Sequence, residues 1–169
     1  MNARVRVAAP ALEVRDSALH GFGVFATRRI KKGTRITEYL GERISHPEAD
    51  RRYDHKDASD NHTFLFIVDA RTVIDAGVGG NEARFVNHGC EPNCESVIEN
   101  RRVFIEAIRD IAAGEELTYD YQIQREAADP PDIDLIFACR CGAPSCRGTM
   151  LWSPPAPQRA RPPQRARRR

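Results

Sequence analysis

The chain has 169 residues, 41% hydrophobic and 30% charged, enough for one domain with a buried core. Its longest apolar run near the start, Val7–Leu12, is shorter than a signal-peptide core, and no later run approaches the ~18 residues of a membrane span. The expectation is a soluble chain outside the Sec route and away from membranes. The net charge of +2 hides an asymmetry: six arginines in Ser153–Arg169 leave 20 of the 26 basic residues in the body, against 24 acidic ones.

In chain order, the body reads as short strands separated by turns. The stretches LEVRDS, GVFAT, TRITEYLGE, HTFLFIVDA, RTVIDA, ESVIEN, RRVFIEAI and EELTYDY carry β-branched and aromatic residues in partial alternation. Gly33, Gly77–Gly80, the ENRR turn and Gly114 punctuate them. One helix is expected in SHPEADRRYDHK, where Ser45 and Glu48 have capping-box spacing and Pro47 is tolerated in the first turn. A short helical turn is expected in NEARFVN.

GFGVFA (Gly21–Ala26) satisfies a dinucleotide-binding pattern, but that chemistry needs a helix directly afterwards to hold phosphate. TRRIKKGTRI follows instead, with Gly33 ten residues beyond Gly23. A tight glycine turn is the better reading.

Five cysteines fall in two groups, Cys90 with Cys94 and then Cys139, Cys141 and Cys146. Clustered thiols in an odd number favour metal binding over a disulfide scaffold. Three thiols in the C-x-C-x4-C run leave one zinc position open, with Cys90, Cys94 and His88 as candidates to fill it. The last segment, SPPAPQRARPPQRARRR, holds nothing that packs a core and reads as a disordered tail. Its arginines suit nucleic acid, an anionic surface or nuclear import.

RFVNHGCEPNCE (Arg84–Glu95) resembles the R-F-x-N-H-S-C-x-P-N signature of SET-domain protein lysine methyltransferases, and GEELTYDY (Gly114–Tyr121) resembles their second signature. GFGVFA, ITEYLGE and IDAGVGGNEARF follow in that family's order, and CRCGAPSCRG is similar to its post-SET zinc motif. The wording is nearest the trithorax and mixed-lineage-leukaemia branch, in a minimal stand-alone form without the cysteine-rich pre-SET region. Gly89 departs from the pattern, standing where the family usually has serine.

The resemblance implies a mainly β fold: a SET domain of small β-sheets with short helices and a pseudoknot, plus a zinc-bound post-SET segment. It divides the chain into an N-terminal extension (1–11), a SET domain (12–123), an acidic connecting loop (124–137), a post-SET zinc motif (138–152) and the Pro/Arg-rich tail (153–169). It also implies methyl transfer from S-adenosyl-L-methionine to a lysine of a basic protein tail, a histone first of all. The other readings are a non-catalytic SET module that binds peptide or nucleic acid, and a methyltransferase of a non-histone basic protein.

By the same resemblance, Tyr121 is the catalytic tyrosine, Tyr119 sets how many methyls are added, and Tyr39 lines the lysine channel. Phe22, Gly23, Tyr53, Arg84, Asn87 and His88 hold the cofactor. Cys90 joins Cys139, Cys141 and Cys146 around one structural Zn2+, leaving Cys94 spare. Glu126, Asp129, Asp132 and Asp134 suit either a basic substrate or a plain solvated loop. The chain's three lysines against 23 arginines fit high-GC coding and a bacterial origin. The corresponding location is the cytoplasm, or a host nucleus after delivery.

Overall fold

The computed structural model describes residues 12–53, 63–125, 127 and 129–152. The N-terminal extension, the arginine-rich tail and Glu126 lie outside the described residues, and so does the end of the stretch read as SHPEADRRYDHK. Among the described residues no helix is long and apolar enough to cross a membrane.

Among the described residues the architecture is mainly β, built from four small sheets. β1 (Leu12–Asp16) pairs antiparallel with β2 (Phe22–Ala26). β3 (Arg35–Glu38), β8 (Cys94–Glu99) and β9 (Arg102–Ala107) form a three-stranded sheet with β9 in the middle. β4 (Glu42–Ile44), β5 (Leu65–Asp69) and β6 (Thr72–Asp75) form a second one centred on β6. β7 (Asn87–His88) and β10 (Thr118–Tyr119) make a two-residue parallel pair.

The expected strands are present, with two corrections. TRITEYLGE is divided: β3 stops at Glu38 and β4 begins at Glu42, because the chain leaves one sheet and enters another. EELTYDY pairs only over Thr118–Tyr119. The β8–β9 hairpin turns on Asn100 and Arg101, with φ of 50° and 64°, the left-handed pair that a two-residue loop between twisted strands requires.

Helix α1 (His46–Tyr53) starts where the capping signal stood, with the Glu48 N–H donating to Ser45 Oγ at 3.3 Å. The Glu48 carboxylate turns outward to Arg51 and Arg52, at 2.7 and 2.8 Å. A 3-10 turn covers Glu82–Phe85, as NEARFVN predicted. The segment read as the acidic connecting loop contains a further short helix, α2 (Ile133–Ile136), too short for its apolar residues to show a helical period.

The main core gathers Val24, Ile36, Val86, Ile105, Ile111 and Leu117 from strands and connecting segments far apart in sequence. Burying such side chains fully stabilises by about 1.5–3 kcal/mol each. Val103, Phe104 and Ile105 are consecutive and all buried, because β9 is covered on both faces.

Candidate active site and metal centre

The β7–β10 pair creates the site. Thr118 faces Asn87 and Tyr119 faces His88, so two segments some thirty residues apart in sequence lie side by side. Asn93 fastens them. Its amide donates to the Glu116 carbonyl at 2.7 Å and to Glu115 Oε1 at 3.0 Å, while its Oδ1 accepts from the Thr118 N–H at 2.9 Å. A buried side-chain amide here substitutes for a stretch of strand pairing.

Gly89 sits on this seam. A Cβ there would lie 2.9 Å from Thr118 Oγ1, so the side chain of Thr118 takes up the space beside it. That gives a steric reason for glycine at this point of the signature.

Ser17 to Gly21 forms the glycine turn expected from GFGVFA, closed by a 2.8 Å bond from the Ser17 N–H to the Gly21 carbonyl. Gly21 has φ of 45°. The Cα of Gly23 lies against Glu116, and a Cβ would come within 2.3 Å of Glu116 Oε1. Glu116 in turn accepts from Ser17 Oγ at 2.8 Å and from the Asn87 amide at 2.9 Å. The same Asn87 amide also donates to the carbonyls of Phe22 (2.9 Å) and His20 (3.3 Å), which locks the turn to β7.

Beyond this turn opens a cavity of about 420 Å³, within the range of small-molecule sites. Phe22, Arg84, Asn87, His88 and Tyr121 line it, together with Phe64, Phe85, Leu135, Ile136, Cys139, Arg140 and Met150. One wall is aromatic: Phe85 meets Phe22 and Phe64 edge-on at 5.9 and 5.6 Å, and the Arg84 guanidinium lies 4.6 Å from the Phe85 centroid. Arg84 Nε is buried and makes no hydrogen bond among the described residues.

The three tyrosines stand together deeper in the protein. The Tyr119 and Tyr121 rings are 4.9 Å apart, and Tyr39 stacks at a tilt against Phe66 at 5.4 Å. Tyr39 and Tyr119 are buried, and only Tyr121 reaches the cavity wall. Burial pushes all three hydroxyls well above the usual phenol range, and their mutual proximity adds to this for Tyr39 and Tyr119. At neutral pH they are uncharged. Tyr121 donates its proton to the Val86 carbonyl at 2.9 Å.

Tyr53 is placed elsewhere. Its hydroxyl donates to Asp75 Oδ1 at 2.9 Å, and Asp75, nearly inaccessible to solvent, also takes Arg52 at 2.9 Å. Among the described residues it does not line the cavity. Gly23 supports the turn from behind.

The sulfurs of Cys90, Cys139, Cys141 and Cys146 lie within 4.8 Å of one another, with Cys90 to Cys139 at 3.7 Å and Cys90 to Cys146 at 4.0 Å. Four sulfurs around a zinc ion with bonds of ~2.3 Å sit roughly 3.8 Å apart, so this set could hold one in a closed tetrahedron. Backbone N–H groups of Arg147 and Gly148 point at Cys90 and Cys146 Sγ, each at 3.4 Å, which stabilises thiolates. Cys94 lies apart in the core, its thiol pushed up to about 12 by burial.

Four contributors were not singled out from sequence. Asn93 and Glu116 lie inside the two signatures and could have been weighed there. Leu135 and Ile136 reach the cavity from α2, which no sequence pattern marked.

The SET domain family model matches residues 21–122, and the chain belongs to that family. It is 45% identical over 137 residues to the histone-lysine N-methyltransferase, H3 lysine-4 specific, of Saccharomyces cerevisiae, covering 78% of this chain and 12% of that relative. The proteins of the same name from Eremothecium gossypii and Candida albicans are 44% and 42% identical, with 14% and 13% of their lengths covered. The chain thus spans about an eighth of the length of these relatives.

Proposed function

We propose that this protein is a lysine methyltransferase that uses S-adenosyl-L-methionine and acts on a basic protein tail, with histone H3 as the first substrate to test. The single observation that carries this reading is the convergence of Asn87, Arg84 and Tyr121 on one cavity, with Tyr39 and Tyr119 packed behind Tyr121. The relatives named for histone methylation support the substrate, and the acidic body favours a basic partner.

S-adenosyl-L-methionine, when bound, supplies a methyl group on a cationic sulfonium. Asn87 has its amide nitrogen occupied, while its Oδ1 accepts no protein hydrogen bond among the described residues and suits an ammonium. Arg84 lines the same wall with its guanidinium against Phe85, and Phe22, Phe64 and Phe85 offer apolar surface to an adenine-sized ring. Tyr121, with its proton already given to Val86, keeps its oxygen lone pairs available at the cavity wall. These pairs suit a polarised methyl.

The tyrosines do not act as bases, because burial keeps them protonated. An ordinary lysine has a pKa near 10.4, so only about one in ~2,500 is neutral at pH 7. Desolvation among Tyr39, Tyr119 and Tyr121 lowers that pKa, and the proton leaves to water before the amine is aligned. Catalysis then rests chiefly on orientation. Tyr119 is proposed to limit the methyls added, through the space its hydroxyl occupies. Cys90, Cys139, Cys141 and Cys146 would hold one zinc ion whose four sulfur ligands leave no place for water, making it structural.

The test is transfer of labelled methyl to core histones and to basic bacterial proteins, with Tyr121→Phe as control. Label on H3 that is lost in the variant supports the reading. Label confined to the bacterial proteins moves the substrate away from chromatin. No label on either, with cofactor bound and zinc present, overturns it.

A further inference from the structure

The zinc loop and Tyr121 are joined by a closed ring of contacts that the metal ligands alone do not explain. The Arg147 guanidinium grips both oxygens of Asp120, at 2.7 and 2.8 Å. The Arg147 N–H points at Cys90 Sγ at 3.4 Å, and Cys90 Sγ lies 3.4 Å from His88 Nε2. His88 Nδ1 accepts from the Tyr121 N–H at 3.2 Å and lies 3.6 Å from Asp120 Oδ1, so the ring returns to where it began. Because Nδ1 is an acceptor, the ring proton of neutral His88 sits on Nε2 and faces the Cys90 sulfur.

Tyr121 needs this support. β10 ends at Tyr119, so Asp120 and Tyr121 lie outside the strand pairing, which resumes only at Ile123 through its bridge to Leu151. Gln122 follows with φ of 52°, turning the chain away. The backbone of Tyr121 is anchored through His88, and the residue before it is anchored through Arg147. Two-pronged arginine–carboxylate pairs fix direction as well as distance. This one is partly buried, with Asp120 at 19% and Arg147 at 32% side-chain exposure, so water screens it less than a surface pair.

We infer that the Asp120–Arg147 ion pair is a positioning device for the backbone of Tyr121, clamping the tyrosine-bearing wall of the cavity to the zinc loop. Asp120 and Arg147 are positioning residues: they act through Tyr121 and touch neither the cofactor nor the lysine. A zinc ion held by the four cysteines would fix the sulfurs, and the pair fixes how the segment at residues 120–121 is presented to them. The kinetic part of the test rests on the methyltransferase reading, while the spectroscopic part does not.

The full chain, loaded with zinc and carrying 3-fluorotyrosine, has four tyrosines to observe by fluorine NMR. Tyr121→Phe identifies the Tyr121 signal. Asp120→Asn and Arg147→Gln are expected to retain one zinc per chain while shifting or broadening that signal. The exchange D120R/R147D is expected to bring it partly back. Arg125→Gln, which breaks the comparable pair with Asp134, serves as a control and leaves the signal in place.

In turnover, kcat is expected to fall by on the order of ten- to a hundredfold in the single variants, the size of effect that a misplaced reacting group produces, with KM for the peptide little changed. A Tyr121 signal that stays at the wild-type position in both zinc-loaded single variants overturns the proposal. Should a neutral variant unfold or shed zinc, Arg147→Lys keeps the charge while losing the two-pronged geometry. An unmoved signal there overturns it equally. If the wild-type protein transfers no methyl, the methyltransferase reading fails, and the fluorine spectrum still decides the clamp.

Discussion

The Tyr121 hydroxyl donates its proton to the backbone carbonyl of Val86 at 2.9 Å, tying the second signature to the residue just ahead of the first signature's Asn87 and His88. This bond orients the phenol and leaves its oxygen facing the cavity as an acceptor. It also satisfies the carbonyl of Val86, a fully buried core residue.

Tyr121→Phe therefore has two separable consequences. Removing the donor leaves Val86 O short of a partner, a loss of about 1–3 kcal/mol that urea unfolding would read. Methyl transfer should fall by at least about tenfold, equivalent to ~1.4 kcal/mol of barrier, while calorimetry still detects cofactor binding. Full activity in the variant would remove Tyr121 from the mechanism.

The thiols should react in two classes. With zinc bound, mild alkylation should modify none of the five cysteines, because four are ligands and Cys94 is buried with a thiol pushed up to about 12. After chelation, Cys90, Cys139, Cys141 and Cys146 should be labelled, and Cys94 only in denaturant. Metal removal should cost on the order of 10 kcal/mol of local folding free energy in residues 139–146. Mass spectrometry that finds Cys94 labelled first would contradict the arrangement.

Gly23→Ala should destabilise the turn that Asn87 and Glu116 share. The new Cβ would lie 2.3 Å from Glu116 Oε1, so that carboxylate must abandon Ser17 or Asn87. A loss of about 1–3 kcal/mol is expected, as for other overpacked sites, accompanied by weaker cofactor binding. An unchanged denaturation midpoint would show that Glu116 moves freely.

α1 should loosen in acid. Hydrogen bonds from Arg51 and then Arg52 lower the Glu48 carboxyl to about 2 from its ordinary 4.5. A carboxylate favoured by the folded state contributes stability above the unfolded value, and this is lost as pH falls from about 4.5 toward about 2. Helical circular dichroism and the thermal midpoint should decline over that window in wild type and less so in Glu48→Gln. High salt should shrink the difference, because the site is exposed. Identical acid profiles for the two proteins would assign the decline to other carboxylates.

Much of the fold was legible because its signals are local. The strands from LEVRDS to RRVFIEAI follow from β-branched and aromatic residues at spacings that a sheet can bury, and Ser45 with Glu48 marked the start of α1. The Asn100–Arg101 turn was legible as a break, though its left-handed geometry was not. α2 escaped because its four residues carry too little periodicity to distinguish a helical turn from a loop.

The sequence by itself determined the family, the cysteines that could hold a metal and the residues that converge on the cavity from the two signatures. Order and spacing of motifs are properties of the chain, and a cysteine carries its chemistry wherever it lies. Only the tertiary structure decided that Tyr53 turns to Asp75, that Tyr39 and Tyr119 lie behind Tyr121, and that Arg147 closes on Asp120. Those outcomes depend on pairings such as Asn87 with Thr118 and Arg147 with Asp120, between residues roughly thirty positions apart in the chain. Such contacts form only when the whole core has brought the segments together, and no local preference encodes them.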